Sequence, residues 1–271
     1  MPRSPLYLSP LKGDLDKRGR RQEPPEKVLS EMKIEELFPH TFKALTKEIE
    51  QRRDHRPMWQ QRLSSRSVFC QAVVGCGYLS EAQMQRAAAR YRLGIARDGG
   101  VIFWQIDEHD YLLDGKIMYY RSDCHRDHDR KPTWTSFLQR KCGQLPEGWQ
   151  PPHCLFGLHL LSEAKTVAVV ESEKTAVIMS EVKPDYLWLA TGGKTELNVC
   201  KLKPLQNHKV IIFPDTDPDG STYKEWFGIA EAAGDVYGHP FTVSSILEQY
   251  ATPSQKKAKI DIVDYIFKQN K

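Results

Sequence analysis

Two apolar runs that end in acidic residues constrain the fold of this chain more than any other feature. The first run, residues 167–170, leads directly to Glu171, and the second, residues 210–213, leads through Pro214 to Asp215. Short continuous apolar runs are typical of strands buried on both faces of a parallel sheet. In open α/β sheets the carboxyl ends of such strands meet in one crevice. The sequence therefore predicts a parallel sheet with acidic side chains gathered at one edge.

Further acids extend the second group, because Asp217 and Asp219 follow Asp215 in the segment that ends at Gly220. Carboxylates held close together raise one another's pKa and repel, and a bound divalent cation relieves that cost. Oxygen ligands of this kind favour Mg²⁺ or Mn²⁺. Each motif alone also has a structural explanation, since acids favour helix N-termini and Asp-Pro-Asp-Gly favours a turn.

The order of the motifs resembles the Toprim domain, a metal-binding module of DnaG-type primases, topoisomerases and some nucleases. Glu171 matches the family's Glu after its first strand, residues 190–193 match its small-residue turn, and the segment from Asp215 to Gly220 matches its Asp-x-Asp motif. Three motifs in this order favour the metal site over the separate structural explanations. The resemblance implies that the catalytic residues are Glu171, Asp215 and Asp217. The metal ligands that it implies are Glu171, Asp215, Asp217, Asp219 and Asp261.

A cationic segment precedes the acidic motifs. The alternation of apolar and polar residues at 100–107 and 115–121 predicts two strands of a β-hairpin with its turn at 108–114. A loop rich in Arg and Lys follows at 121–131. Such cations neutralise phosphates, whereas the aromatic side chains Tyr119, Tyr120 and Trp134 either stack on bases or pack a core. The predicted nucleic-acid or nucleotide contacts are Lys116, Arg121, Arg126, Arg130, Lys131, Lys174, Gly192, Gly193 and Lys194.

The resemblance extends over residues 80–267 to the DnaG-type primase core and to primase-like Toprim proteins of bacterial mobile elements. It implies an α/β fold, with a Toprim-type parallel sheet flanked by helices and a smaller α+β domain with a β-hairpin before it. We divide the chain into a basic disordered tail at 1–27, a helical and hairpin domain at 28–160, and the Toprim domain at 161–271. The four predicted parallel strands are 166–170, 186–190, 209–213 and 241–245. A capping box at Ser80 predicts a helix that ends at Gly94.

Three functions are compatible with these patterns. The first is a primase-like nucleotidyltransferase that uses Mg²⁺ or Mn²⁺, single-stranded DNA and nucleoside triphosphates in the replication of a mobile element. The alternatives are a Toprim-type metal-dependent nuclease and a non-catalytic DNA-binding accessory protein. A helicase or a zinc-bearing protein is a predicted partner in trans, and we expect Asp215 and Asp217 to be dispensable for folding.

Cysteine usage and hydropathy give two further expectations. The six cysteines contain no Cys-x-x-Cys pair, so we expect reduced thiols and no zinc in this chain. No apolar run approaches the ~18 residues of a membrane span. We therefore expect a cytoplasmic protein with no membrane partner.

Overall fold

The computed structural model describes residues 67–143, 145, 151–163 and 166–268. The predicted basic tail and the rest of the first 66 residues lie outside the described ranges. Two four-stranded sheets organise what is described, one antiparallel in the order β1-β2-β3-β4 and one parallel in the order β6-β5-β7-β8. The fold is therefore mixed α/β, as the sequence predicts. No helix in the described ranges is both long enough and apolar enough to cross a membrane.

The antiparallel sheet and the helices around it form the N-terminal part of the described chain. Its elements are α1 (Val68–Gly75), α2 (Glu81–Arg90), β1 (Gly94–Ile95), β2 (Val101–Ile106), β3 (Leu112–Met118), β4 (Thr133–Trp134) and α3 (Thr135–Lys141). The predicted capping box at the start of α2 is confirmed, because Ser80 and Gln83 exchange backbone and side-chain hydrogen bonds. Such a box satisfies two N–H groups that a helix start otherwise leaves unpaired.

The prediction that Gly94 ends α2 is wrong. The helix ends at Arg90, and the chain turns out of it at Arg92, which adopts a left-handed conformation with φ 51°. Gly94 instead opens β1 and pairs with Ile102. A side chain at residue 94 would lie only 2.7 Å from the Trp104 indole nitrogen, so the strand needs glycine for this close approach.

The predicted β-hairpin is confirmed as an antiparallel pair of β2 and β3, but its turn is shorter than predicted. The Asp107 carboxylate accepts the backbone N–H groups of His109 and Tyr111, both at 2.9 Å, and closes the turn early. β3 therefore starts at Leu112, inside the predicted turn of 108–114. Asp114, which the sequence placed in that turn, is a fully buried strand residue.

The buried Asp114 carboxylate joins β3 to the first turn of α3. It accepts hydrogen bonds from Thr135 Oγ1 at 2.9 Å, from the Ser136 backbone at 3.0 Å and from Ser136 Oγ at 2.6 Å. His153 Nε2 lies 3.6 Å from Oδ2. Burial alone would raise the pKa of Asp114, but His153 and the Ser136 donors outweigh it and lower the pKa below its ordinary value.

We expect Asp114→Asn to lower the free energy of unfolding by about 2 kcal/mol at neutral pH, as for hydrogen bonds to a charged group. The folded-state pKa lies below the unfolded value near 3.8. The ionised Asp114 carboxylate therefore contributes its full stability above the unfolded pKa. This stability is lost as the pH falls through the folded-state pKa. Urea unfolding of both proteins from neutral to acid pH tests this, with the exposed Asp129→Asn as the control. If the difference in the free energy of unfolding between the wild type and Asp114→Asn does not shrink in acid, the stabilising role of the ionised carboxylate is contradicted.

The parallel sheet forms the C-terminal part. Its strands and main helices are β5 (Thr166–Val170), α4 (Glu173–Val182), β6 (Leu187–Ala190), α5 (Val199–Leu202), β7 (Lys209–Ile212), α6 (Ser221–Tyr237), β8 (Phe241–Val243), α7 (Ile246–Tyr250), α8 (Pro253–Lys257) and α9 (Ile262–Lys268). All four predicted strands are confirmed. Three are one or two residues shorter than predicted; β7 stops before Phe213, since Pro214 has no N–H with which to continue the ladder.

The two sheets share one hydrophobic core. Tyr91, just after α2, stacks on Phe156 with ring centroids 5.1 Å apart, and its hydroxyl donates to the Trp188 carbonyl at 2.7 Å. Phe156 in turn forms a bridge with Ala190 at the end of β6. The antiparallel sheet is thereby packed beside the parallel sheet, and the proposed domain boundary at residues 160 and 161 stays a prediction.

Candidate functional site

The first and third strands of the parallel sheet end side by side, as predicted. β5 pairs with β7 in parallel, with Val169 opposite Ile212, and the Phe213 N–H donates to the Val169 carbonyl at 2.8 Å. Glu171 and Asp215 follow these strand ends. Burial and the charges of Asp261 and Glu171 raise the pKa of Asp215 well above its ordinary value. The strand ends that precede Glu171 and Asp215 are therefore neighbours, as predicted.

Glu171 is held beside a glycine turn. The Gly192 N–H donates to the Glu171 carbonyl at 2.9 Å, and Gly192 has φ 91°, a left-handed conformation that favours glycine. Burial raises the pKa of the Glu171 carboxyl, and the charges of Lys194 and Lys116 only partly oppose this rise. The predicted small-residue turn therefore lies directly beside the predicted Glu.

Asp261 joins the same region from the far end of the chain. Its Oδ2 accepts the Thr175 hydroxyl at 2.5 Å, in the first turn of α4, and its Oδ1 accepts the Asp264 backbone N–H at 2.7 Å. Only 6% of Asp261 is exposed. Asp261 is near enough for its charge to raise the pKa of both Glu171 and Asp215, although the three residues lie far apart in sequence. The Thr175 contact is one that the sequence did not predict.

Asp217 has a different environment from Asp215. Its carboxylate accepts the backbone N–H and hydroxyl groups of Ser221 and Thr222 at the start of α6, at 2.5 to 2.9 Å, and the Lys194 ammonium at 3.4 Å. Burial opposes ionisation, but these donors lower the pKa of Asp217 well below its ordinary value. We therefore expect Asp217 to support folding, in contrast to the sequence-based expectation that it is dispensable.

Asp219 lies in the exposed turn between Asp217 and α6. One of its carboxylate oxygens accepts the Ser221 backbone N–H at 3.2 Å, and Gly220 follows with φ 67°. The structure places Asp219 as a turn residue next to the acidic site, without a contact to Glu171 or Asp261.

The donor set fits a hydrated divalent cation. In the part of the chain that the structure describes, no group of three or more His, Cys, Asp or Glu side chains is close enough to encircle an ion. Mg²⁺ typically keeps several waters and is held by one or two carboxylates together with substrate phosphates. If such an ion binds here, Glu171 and Asp215, which follow neighbouring strand ends, would be its carboxylate ligands.

A cleft of about 200 Å³ opens beside Glu171. One wall comes from the antiparallel sheet and the loop after it, through Lys116 and Arg126. The other wall comes from residues 171–174 at the start of α4 and from the glycine turn at Gly192 and Gly193. Acidic and basic side chains therefore share one small opening between the two sheets.

Lys116 forms a buried ion pair across this opening. Its ammonium donates to Glu173 Oε1 at 3.0 Å and to the Gly192 carbonyl at 2.5 Å. The side chains of Lys116 and Glu173 are only 12% and 3% exposed. Lys116 was predicted to contact nucleic acid, whereas here it joins β3 to α4 and to the glycine turn. The sequence analysis missed Glu173, because only the fold brings it to Lys116.

Two other predicted cations lie beside acids. Burial lowers the pKa of Lys174, but Asp261 and Asp264 outweigh burial, and the pKa is raised. Lys194 donates to Ser221 Oγ at 3.1 Å beside Asp217. The Lys174 ammonium therefore stays charged at neutral pH, and both cations lie next to acidic side chains.

The Arg and Lys side chains of the loop at residues 121–131 are all exposed, and their predicted contact with nucleic acid stays a prediction. Arg130 pairs with Asp98 at 2.6 Å and lies over the Tyr119 ring, 3.6 Å from its centroid. Arg121 lies 3.9 Å from Asp123, and Lys131 is exposed. Arg126 is exposed and lines the cleft. Among these residues, Arg126 is the one that connects the cationic loop to the acids.

The aromatic side chains of this region pack within the protein. Tyr120 is 9% exposed and packs on Phe69, with ring centroids 4.9 Å apart. Trp134 stacks on His153 at 4.2 Å. For Tyr120, the packing explanation is confirmed over base stacking.

The chain matches one described protein family. Residues 68–216, more than half of the sequence, match the family described as "Domain of unknown function (DUF6371)". The chain belongs to this family. The match spans the antiparallel sheet, the cationic loop, Glu171, the glycine turn and Asp215. Curated proteins give no match.

Three solved primase structures are similar to this DUF6371 member. The primase fragment of the bacteriophage T7 primase-helicase is 18% identical with a TM-score of 0.37, and the match covers 59% of this chain and 60% of that fragment. The DnaG catalytic core is 12% identical with a TM-score of 0.44, over 78% and 79%. The zinc-binding and RNA polymerase domains of the Aquifex aeolicus primase are 12% identical with a TM-score of 0.40, over 84% and 69%.

Proposed function

We propose that this protein is a Toprim-type, primase-like nucleotidyltransferase that acts on single-stranded DNA with Mg²⁺ or Mn²⁺. The observation that carries the proposal is the position of Glu171 and Asp215 at neighbouring carboxyl ends of the parallel strands β5 and β7. A cleft lined by Glu171, Arg126 and Lys174 opens beside the first of these acids. Paired carboxylates beside cations are the arrangement that phosphoryl transfer requires.

Each side chain has a distinct part in this proposal. Glu171 and Asp215 would hold the cation, and Asp261 adds negative charge beside them. A divalent cation there would neutralise the charge that develops on the transferred phosphoryl group. Arg126 and Lys174 line the cleft, where their fixed positive charges attract triphosphate oxygens. Asp217 holds the start of α6 and the Lys194 ammonium next to the acids.

The single-stranded template would lie along the cationic loop, because its exposed cations lead to the cleft at Arg126. The ion pair of Lys116 with Glu173 favours a structural role for Lys116 over a phosphate contact. A helicase or a zinc-bearing protein that delivers the template, and a role in replication of a mobile element, belong to the same proposal.

The variant Arg126→Ala/Lys131→Ala is expected to weaken binding to single-stranded DNA. A plot of the logarithm of the binding constant against the logarithm of the salt concentration has a negative slope. For each phosphate contact that is lost, the magnitude of this slope should fall by ~0.7. Fluorescence anisotropy with a labelled oligonucleotide, measured over a series of salt concentrations, gives that slope. Lys209→Ala removes an exposed lysine at the start of β7 and serves as the control. An unchanged slope in the double variant would mean that the loop is only solvated.

The activity itself is tested by incubating the full chain with single-stranded DNA, all four ribonucleoside triphosphates and Mg²⁺ or Mn²⁺. We expect short new oligonucleotides that are absent without metal and absent with Asp215→Asn. Degraded template without synthesis would identify a nuclease, and neither product, together with DNA binding, would identify a non-catalytic accessory protein. Either of these results would overturn the proposal of a nucleotidyltransferase.

A further inference from the structure

We propose that Thr216 and Glu248 are positioning residues that fix the segment carrying Asp215 and Asp217. This role depends on the metal-dependent function proposed above. Thr216 is the middle residue of the Asp-x-Asp motif and is 1% exposed. Its hydroxyl donates to Glu248 Oε1 at 3.1 Å. The residue between the two acids is therefore anchored by a side chain from α7.

The backbone of Thr216 is anchored as well. Its N–H donates to the Ile260 carbonyl at 3.1 Å, and Ile260 is 1% exposed. Because Asp261 is the next residue, this hydrogen bond ties the Asp-x-Asp segment to the chain that delivers the third acid. The side chain and the backbone of one residue thus connect the segment to two other elements.

Glu248 is itself held in place. Its Oε2 accepts the Lys256 ammonium at 2.7 Å, and Lys256 also donates to the Glu248 carbonyl at 3.0 Å. Both carboxylate oxygens are therefore engaged, one by Thr216 and one by Lys256. Oε2 would also lie 3.4 Å from a Cβ at Gly220, so Glu248 is packed against the turn before α6. Glu248 consequently acts through Thr216 and not as a ligand of the cation.

Groups that orient metal ligands without touching the metal commonly change metal affinity or activity by about 10- to 100-fold when they are removed. Thr216→Val keeps the volume and branching of the side chain and removes the hydroxyl. Thr216→Ser keeps the hydroxyl. The pair separates the hydrogen bond to Glu248 from packing at residue 216.

The test is the affinity of the full chain for Mn²⁺, measured by isothermal titration and by the loss of the free-ion electron paramagnetic resonance signal. We expect Thr216→Val and Glu248→Ala to weaken Mn²⁺ binding about 10- to 100-fold and Thr216→Ser to bind as the wild type does. Thermal unfolding of each variant reports whether it is folded. Glu181→Gln serves as the control, because it alters an ion pair of 2.6 Å with Arg86 at the other end of α4.

Two results would overturn the positioning role. One is a folded Thr216→Val or Glu248→Ala variant that binds Mn²⁺ as tightly as the wild type. The other is an equal loss of affinity in Glu181→Gln, since the effect would then report general stability. A wild type that binds no Mn²⁺ would instead refute the proposed function, and the positioning role with it.

Discussion

Asp215→Asn is expected to remove activity and metal binding while leaving the metal-free protein at least as stable as the wild type. Burial, Asp261 and Glu171 raise the pKa of Asp215, so its negative charge destabilises the folded state at neutral pH. Asparagine removes that charge with little change in shape. Thermal unfolding with and without Mg²⁺ measures both effects. The wild type should gain about 2.7 kcal/mol at a free Mg²⁺ concentration about 100 times the Kd, and the variant should gain nothing.

The pH dependence of this comparison has a defined sign. The folded-state pKa of Asp215 lies above the unfolded value near 3.8. The protonated Asp215 carboxyl therefore contributes stability below the unfolded pKa, and this stability is lost as the pH rises through the folded-state pKa. In metal-free buffer, the stability of the variant relative to the wild type should therefore increase as the pH rises from acid to neutral.

Asp217→Asn is the matched control in the same motif and should behave in the opposite way. Its carboxylate accepts four hydrogen bonds from Ser221 and Thr222, so its replacement should lower stability without metal. A destabilised Asp215→Asn variant, or one that Mg²⁺ still stabilises, would show that Asp215 is a structural residue.

Lys116→Met should cause the largest loss of stability among the substitutions considered. It leaves the Glu173 carboxylate, 3% exposed, without its cation. Removal of one partner of a buried ion pair typically costs about 3 to 5 kcal/mol. The double variant Lys116→Met/Glu173→Met should recover most of this loss, because no charge is then left buried. Urea unfolding of the wild type, both single variants and the double variant gives the coupling energy.

Arg86→Met is the control for this cycle, since it breaks an ion pair in which the arginine is 61% exposed. Exposed pairs contribute about 0 to 1 kcal/mol, so the control should change stability little. If Lys116→Met is no more destabilising than Arg86→Met, then Lys116 is free to contact phosphate as the sequence suggested.

The parallel sheet was predictable because its strands are short apolar runs with clear ends, and because parallel neighbours bring their carboxyl ends together. That reasoning located Glu171 beside Asp215 without a structure. Three of the parallel strands are one or two residues shorter than predicted, and for β7 the proline at residue 214 explains the difference. The hairpin turn was misjudged because the Asp107 carboxylate closes it locally, which a pattern of alternating residues does not reveal.

The remaining parts of the site depend on contacts between distant residues. Glu173 and Lys116 are 57 positions apart, and Thr175 and Asp261 are 86 apart. Sequence spacing carries no signal for such pairs. The two acids of the Asp-x-Asp motif look equivalent in sequence, yet Asp217 caps a helix and Asp215 has a raised pKa. The Ser221 and Thr222 donors at the start of α6 surround one acid, whereas burial and the charges of Asp261 and Glu171 act on the other.

Iron-directed cleavage tests the central claim, that acids at adjacent strand ends hold a divalent cation, most directly. Fe²⁺ replaces Mg²⁺ in the full chain, and ascorbate with peroxide then generates radicals that cut the backbone beside the bound ion. We predict cuts next to Glu171, Gly192 and Asp215, suppressed by excess Mg²⁺ and absent from Asp215→Asn. Cuts at other positions only, or cuts that Asp215→Asn leaves unchanged, would contradict the account.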